Sequence, residues 1–209
     1  MAKLVDLTVK EFIDTLNSDA PAPGGGSASA LAAAMGISLT NMVALLTEGK
    51  KKYADGQEAA KNIIAEAKDL KVKLVEAIDK DTEAFNAVSA VFKMPKETDE
   101  EKAARKEAMQ EALKGAAESP LEMMKMIVKA IHITDSGVGK LNPNAASDLG
   151  VAALNLKSGL RGAWLNVLIN LDGIKDEDFI QNMKKEGQDL LAEGEELADK
   201  VYEAILSNL

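Results

Sequence analysis

The sequence predicts an all-α protein, an antiparallel bundle of long helices, and three observations carry that prediction. Ala, Leu, Glu, Lys and Met, all strong helix formers, dominate its 209 residues. Apolar residues recur at steps of three and four, and no alternating β-branched run occurs. Only five prolines are present. Apolar residues are 46% of the chain, enough for a real core, and no linker or internal repeat divides residues 1–209, which read as one domain.

The elements follow in order. Thr8 and Glu11 spell a capping box, flanked by Leu7 and Phe12 as a hydrophobic staple, so a short helix starts here and ends near Asn17. After the loop Pro21-Ala22-Pro23-Gly24-Gly25-Gly26, Ser27 is the expected cap of a second helix running to about Thr47. Its small residues, Ala30, Ala33, Ala34 and Gly36, let a neighbouring helix or a ligand come close. Asp55 to Met94 reads as one helix stopped by Pro95, with an apolar stripe of Ile63, Ala67, Leu70, Leu74 and Ile78 continuing to Phe85, Val88 and Phe92. Thr98 and Glu101 spell a second capping box. Pro120 either opens a further helix or kinks one that continues to about Ile133. Met123, Met124 and Met126 read as core filler and His132 as structural. A polar loop leads to a helix from about Ser147 to Leu171, and Asp176 caps a last amphipathic helix to about Leu206.

Composition excludes several function classes. A net charge of −9 argues against nucleic-acid or anionic-membrane binding. With no cysteine and one histidine, no thiolate or histidine-rich metal site and no Ser-His-Asp triad is expected. Residues 28–46 are long enough to span a bilayer, but Ser29, Ser38, Thr40 and Asn41 interrupt them, and Met1 to Leu16 has no apolar signal core. The expectation is a cytoplasmic protein without a membrane segment.

Candidate site residues stand out against this background. Gly24, Gly25 and Gly26 open a helix whose free N–H groups and positive dipole end can meet an anion; the alternative is a plain turn. Asp81 interrupts the apolar stripe between Ile78 and Phe85, where a carboxylate is costly unless bonded, and where burial raises its pKa towards acid–base use. It serves chemistry, or it lies at a frayed edge or pairs with a lysine of another helix. Asn142, Asn144, Ser147 and Asp148 either cap the next helix or line a polar pocket, and Asn166 and Asn170 are amides in an apolar run that must find partners.

Six stretches in order resemble the cyclodeaminase/cyclohydrolase family of folate enzymes. They are PAPGGGSASALAAAMG, TEGKKKY, DKDTEAF (Asp79 to Phe85), Met94 to Arg105, NPNAASDLGVAA (Asn142 to Ala153) and GAWLNVLINL (Gly162 to Leu171). The likeness covers nearly the whole chain, and the expectation is a domain that acts without a fused formiminotransferase domain. It implies an all-helical homodimer or larger homo-oligomer, a tetrahydrofolate substrate able to carry several glutamates, and no further cofactor or metal. It also implies one of two reactions: 5-formimino-tetrahydrofolate closing to 5,10-methenyl-tetrahydrofolate with loss of ammonia, or methenyl-tetrahydrofolate and 10-formyl-tetrahydrofolate interconverting with water. Asp81 then moves a proton or balances the amidinium charge, and Gly24 to Ser27 approach the ligand. Lys50, Lys51 and Lys52, with Tyr53 beside them, are candidates for the glutamate tail. Asn142, Asn144, Ser147 and Asp148 are candidates for the pterin edge, with Asn166 as a further contact. The rival from another class is a helical interaction module, which needs no internal polar set.

Overall fold

In the computed structural model, residues 3–209 are described; Met1 and Ala2, the first residues of the expected 1–209 domain and of the Met1–Leu16 stretch, lie outside them. Among the described residues six α-helices follow one another: α1 (Val9–Leu16), α2 (Gly25–Leu45), α3 (Gln57–Val91), α4 (Asp99–Gly137), α5 (Ala146–Asn170) and α6 (Glu177–Leu206). Both capping boxes form, with Thr8 taking the N–H of Glu11 and Thr98 that of Glu101, and Asp176 caps α6 through the N–H of Phe179.

Helix α2 is the hub, packed against α3, α4 and α5. It is long and apolar enough to cross a membrane, yet half of that stretch is buried by the surrounding helices. Helices α3 and α5 run antiparallel to it, and α4 runs parallel, with Leu113 and Ala116 near the start of α2 and Thr134 bonded to Thr40 towards its end. The start of α2 meets Asp81 late in α3, while Gln57 at the start of α3 holds the carbonyl of Thr47 just past the end of α2. Helix α5 approaches so closely that a Cβ on Gly159 would lie 2.8 Å from the carbonyl oxygen of Ser29. Backbone-to-backbone contact of this kind requires the small residues seen in both helices.

Two sequence expectations are corrected, and His132 is structural as expected. Ser27 is not the cap of α2: the helix begins two residues earlier, Gly24 is the capping position, and Ser27 is fully buried in the first turn. The continuous inward stripe of α3 stops at Ile78, because α3 extends past the start of α2 from Asp81 onward and beyond that point only Val91 is buried. Phe85 and Phe92 are therefore 45% and 64% exposed. His132 lies on the surface, where its Nε2 is 2.7 Å from Glu193 Oε1 and ties α4 to α6.

The open question of Pro120 also has an answer. Helix α4 runs unbroken from Asp99 to Gly137 with Pro120 inside it. Proline has no N–H to give the carbonyl of Ala116, one turn back. Asn170 of α5 supplies the missing donor, Nδ2 to the Ala116 oxygen at 2.8 Å. The half-buried amide that the sequence left without a partner is a repair of the proline helix.

Candidate functional site

The start of α2 has an unusual cap. Gly24 carries no side chain to accept the first-turn N–H groups, and those of Gly25 and Gly26 have no acceptor within the helix. Asp81 reaches across from α3 and does the work in its place. Its Oδ2 accepts the N–H of Ser27 at 3.0 Å, the third helical position, which a capping side chain ordinarily serves. The Ser27 hydroxyl donates to the carbonyl of Ile78 at 2.8 Å and lies 3.3 Å from the same carboxylate oxygen. Gly26 is packed directly beneath the carboxyl group, so that any Cβ there would strike Asp81.

Two forces act on the Asp81 proton. Burial among helices, the larger, raises its pKa above the ordinary 3.8, and the bonds from Ser27 pull it back down. A carboxyl group held by a helix start but short of solvent is suited to give up and take back a proton.

Beside Asp81 opens a cleft of about 260 Å³ between the overhang of α3 and helices α4 and α5. Gly24 and Gly25 form one side, Asp81 and Thr82 another, and Asn166 and Asn170 face them from α5. Asn166 donates its Nδ2 to the carbonyl of Gly162 at 2.8 Å. Phe85 and Val88, expected in the core, are apolar walls of this cleft. The structure thus brings together Gly24, Gly25, Gly26, Ser27, Asp81 and Asn166 from the sequence expectation. It adds Thr82 and Asn170. Thr82 follows Asp81 directly, and its hydroxyl lies 3.4 Å from that of Ser27; nothing in the periodicity marks it. Asn170 was visible only as an amide in need of a partner.

The remaining candidates form a second group at the other end of α2. That helix has 21 residues, so the two groups are about 30 Å apart. Lys51, Lys52 and Tyr53 lie on a 3₁₀ turn, Lys51–Gly56, with Lys50 just before it. The Tyr53 hydroxyl donates to Asn142 Oδ1 at 2.7 Å, and the same oxygen accepts the N–H of Asn144 at 3.0 Å. Asn142 donates its own N–H to Thr47 Oγ1 at 2.9 Å, latching this loop to the end of α2. Asn142 thus caps the short turn Pro143–Ala145, while no side chain caps α5 itself, which Ser147 and Asp148 were candidates to do. In the single chain none of these residues lines the Asp81 cleft.

A family model described as Formiminotransferase-cyclodeaminase matches residues 8–189. A methenyltetrahydrofolate cyclohydrolase of Methylorubrum extorquens is 42% identical over 202 residues, covering 97% of each chain. A formimidoyltransferase-cyclodeaminase of Sus scrofa is 32% identical over 97% of this chain, which spans 37% of that longer protein. The crystal structure of a formiminotetrahydrofolate cyclodeaminase from Thermotoga maritima superposes with a TM-score of 0.85 at 31% identity, over 96% of both chains.

Proposed function

Because this chain belongs to the formiminotransferase-cyclodeaminase family, we propose that the Asp81 cleft is where it acts, as an enzyme, on the one-carbon unit between N5 and N10 of tetrahydrofolate. The primary reaction is closure of 5-formimino-tetrahydrofolate. N10 attacks the formimino carbon, the tetrahedral adduct collapses by breaking the bond to the exocyclic nitrogen, and ammonia and the 5,10-methenyl cation leave. The exocyclic nitrogen departs only once protonated, and a carboxyl group with a raised pKa is the right donor. Its conjugate carboxylate then lies beside the amidinium cation it has helped to form.

A second reading rests on the 42% identity to the cyclohydrolase, higher than the 31–32% to the cyclodeaminases named above. Water adds to the methenyl carbon, Asp81 takes one of its protons, and the C–N5 bond breaks as the remaining hydroxyl proton passes to N5, leaving 10-formyl-tetrahydrofolate. The same carboxyl group serves both directions. No cofactor beyond the folate is called for by either scheme, and a cytoplasmic enzyme fits the composition.

The observation that carries this reading is Asp81 itself: a carboxyl group bonded to a helix start, half-buried at the head of a cleft. The paired test starts one assay from 5-formimino-tetrahydrofolate, with ammonia measured, and the other from methenyl-tetrahydrofolate, above its uncatalysed hydrolysis. Asp81→Asn is expected to lower kcat by about 10²- to 10⁴-fold while folate binding persists. Full turnover by that variant would remove Asp81 from the chemistry, and silence of the native protein in both assays would remove the reaction.

The assembly is a homodimer or larger. At about 260 Å³ the cleft of one protomer falls below the roughly 300–1,000 Å³ of small-molecule sites. Helices α2 and α5 also leave Met35, Val151, Leu154, Leu165 and Ile169 open to solvent, Leu165 at 65% and Ile169 at 71%. A two-fold axis across these helices would set the start of one α2 near the end of the partner's α2. The Tyr53–Asn142 group of one subunit would then complete the Asp81 cleft of the other.

A further inference from the structure

Ser27 is shut off from solvent, so it has no surface with which to touch a ligand in the cleft. A buried hydroxyl has a single proton to donate and must find one acceptor for it. Three oxygens compete: the Ile78 carbonyl at 2.8 Å, Asp81 Oδ2 at 3.3 Å and the Thr82 hydroxyl at 3.4 Å. The Ile78 carbonyl does not depend on Ser27, since inside α3 it already takes an N–H from one turn further on. The choice therefore turns on the charge of Asp81. A hydrogen bond to an ionised oxygen is roughly twice as strong as one between neutral groups.

The carboxyl group divides its two oxygens. Oδ2 is held by the N–H of Ser27 at 3.0 Å. Oδ1 lies over Gly26 and has no hydrogen-bond partner among the described residues. It is not sealed in, because the one enclosed side-chain atom without a partner among those residues is Asn41 Oδ1. The exchangeable proton thus belongs on Oδ1, at the cleft, and the response to its loss belongs on Oδ2. No charged side chain shares that response. Helix α2 carries no charge from Gly25 to Leu45, and α5 shows the cleft only Asn166 and Asn170. From α4 come Leu113 and Ala116, while Lys114 pairs with Asp176 at 2.7 Å and Glu118 is exposed. On α3 itself Asp79 accepts the N–H of Leu4 at 2.6 Å, Lys80 lies 3.9 Å from Glu76, and Glu83 is exposed.

We propose that Ser27 is the positioning residue of the Asp81 proton: its hydroxyl points to the Ile78 carbonyl while Asp81 is protonated, and turns to Oδ2 once the proton has left from Oδ1. Ser27 keeps its own proton throughout, and the turn exchanges a neutral hydrogen bond for one to a carboxylate. The consequence for catalysis rests on the folate reading of the Asp81 cleft. Closure of the formimino group needs Asp81 protonated, and hydrolysis of the methenyl group needs it ionised. The Ser27 hydroxyl, by holding the ionised form, sets the pH at which one reaction gives way to the other.

Two measurements on the whole protein test it, with Ser27→Ala as the variant and Ser29→Ala as its control. Ser29 lies near the same helix start, but its hydroxyl bonds the Gly25 carbonyl at 2.7 Å and not Asp81. One measurement is a carboxyl-carbon NMR titration of protein carrying isotope-labelled aspartate, in which the Asp81 signal is the one that Asp81→Asn lacks. The other is the pH profile of kcat/KM in both folate assays. Ser27→Ala is expected to raise the Asp81 midpoint by about one pH unit, the worth of a hydrogen bond to a charged group. Both profiles should move up with it, the fall of closure and the rise of hydrolysis alike, while Ser29→Ala leaves midpoint and profiles in place. A midpoint unmoved or lowered in Ser27→Ala overturns the proposal. So does an equal rise in Ser29→Ala, which would make the effect a loosening of the helix start. An active enzyme whose profiles stay in place in Ser27→Ala also overturns it and leaves the folate reading standing. A midpoint raised by Ser27→Ala alone, in a protein that turns over neither folate, leaves the hydroxyl its role and removes the enzymatic reading.

Discussion

Asp81 holds a helix start and a labile proton with one carboxyl group, and its behaviour with pH follows from that double duty. Burial raises its folded pKa above the ordinary 3.8, so folding favours the protonated form. The stability this confers is fully present below the unfolded pKa and is lost as pH rises through the folded one. The native protein should therefore lose stability relative to Asp81→Asn across that window, measured as melting temperature against pH for the two proteins side by side. A parallel pair of curves would show that Asp81 is not desolvated. This residue was legible in the sequence because it interrupts a stripe of period three to four. Asn170 was only half legible: its need for a partner was plain, but the partner is the carbonyl that Pro120 leaves bare on another helix. Thr82 was not legible, since a threonine beside an aspartate breaks no pattern.

At the scale of elements, local chemistry was read correctly wherever the cap lies within its own helix. Thr8, Thr98 and Asp176 all bond within three residues of themselves. The start of α2 was misread because its cap comes from 54 residues further along the chain. The outer half of the α3 stripe was misread because periodicity reports which face is apolar and not how far the neighbouring helix extends. Helix packing yields a paired prediction. Gly159→Ala sets a methyl against the Ser29 carbonyl 2.8 Å away, and should destabilise the protein by about 1–3 kcal/mol. Gly115→Ala, with nothing within 4 Å, should stabilise it by about 0.5–1 kcal/mol through helix propensity alone. Urea denaturation of both variants measures this, and equal shifts would mean that α2 and α5 are not in close contact.

At the scale of the molecule, an all-helical antiparallel bundle followed from composition and period, and the superposition on the Thermotoga maritima enzyme agrees with it. What a single sequence could not give is the separation of the site candidates into two groups at opposite ends of α2, because linear order says nothing about which helix ends share a face. If the assembly unites the groups, the outward apolar residues of α5 hold it together. Leu165→Glu combined with Ile169→Glu should then yield a monomer by sedimentation and lower kcat/KM by at least about tenfold, although neither side chain lines the cleft. A variant that is monomeric and fully active would show that each cleft works alone.

The contact between Gly26 and the Asp81 carboxyl group ties the two positions together in inheritance as well as in space. Neither can change alone without harm: Gly26→Ala should cost activity by pushing the carboxyl group off the Ser27 N–H, while a longer acid at 81 finds no room over Gly26. Selection for regained activity from Gly26→Ala should therefore return second changes on the segment of α3 around Ile78 to Thr82, 52 to 56 residues away in the chain, and few in the adjacent loop. On that outcome two distant stretches of the sequence are one unit of variation, joined at a single carboxyl group.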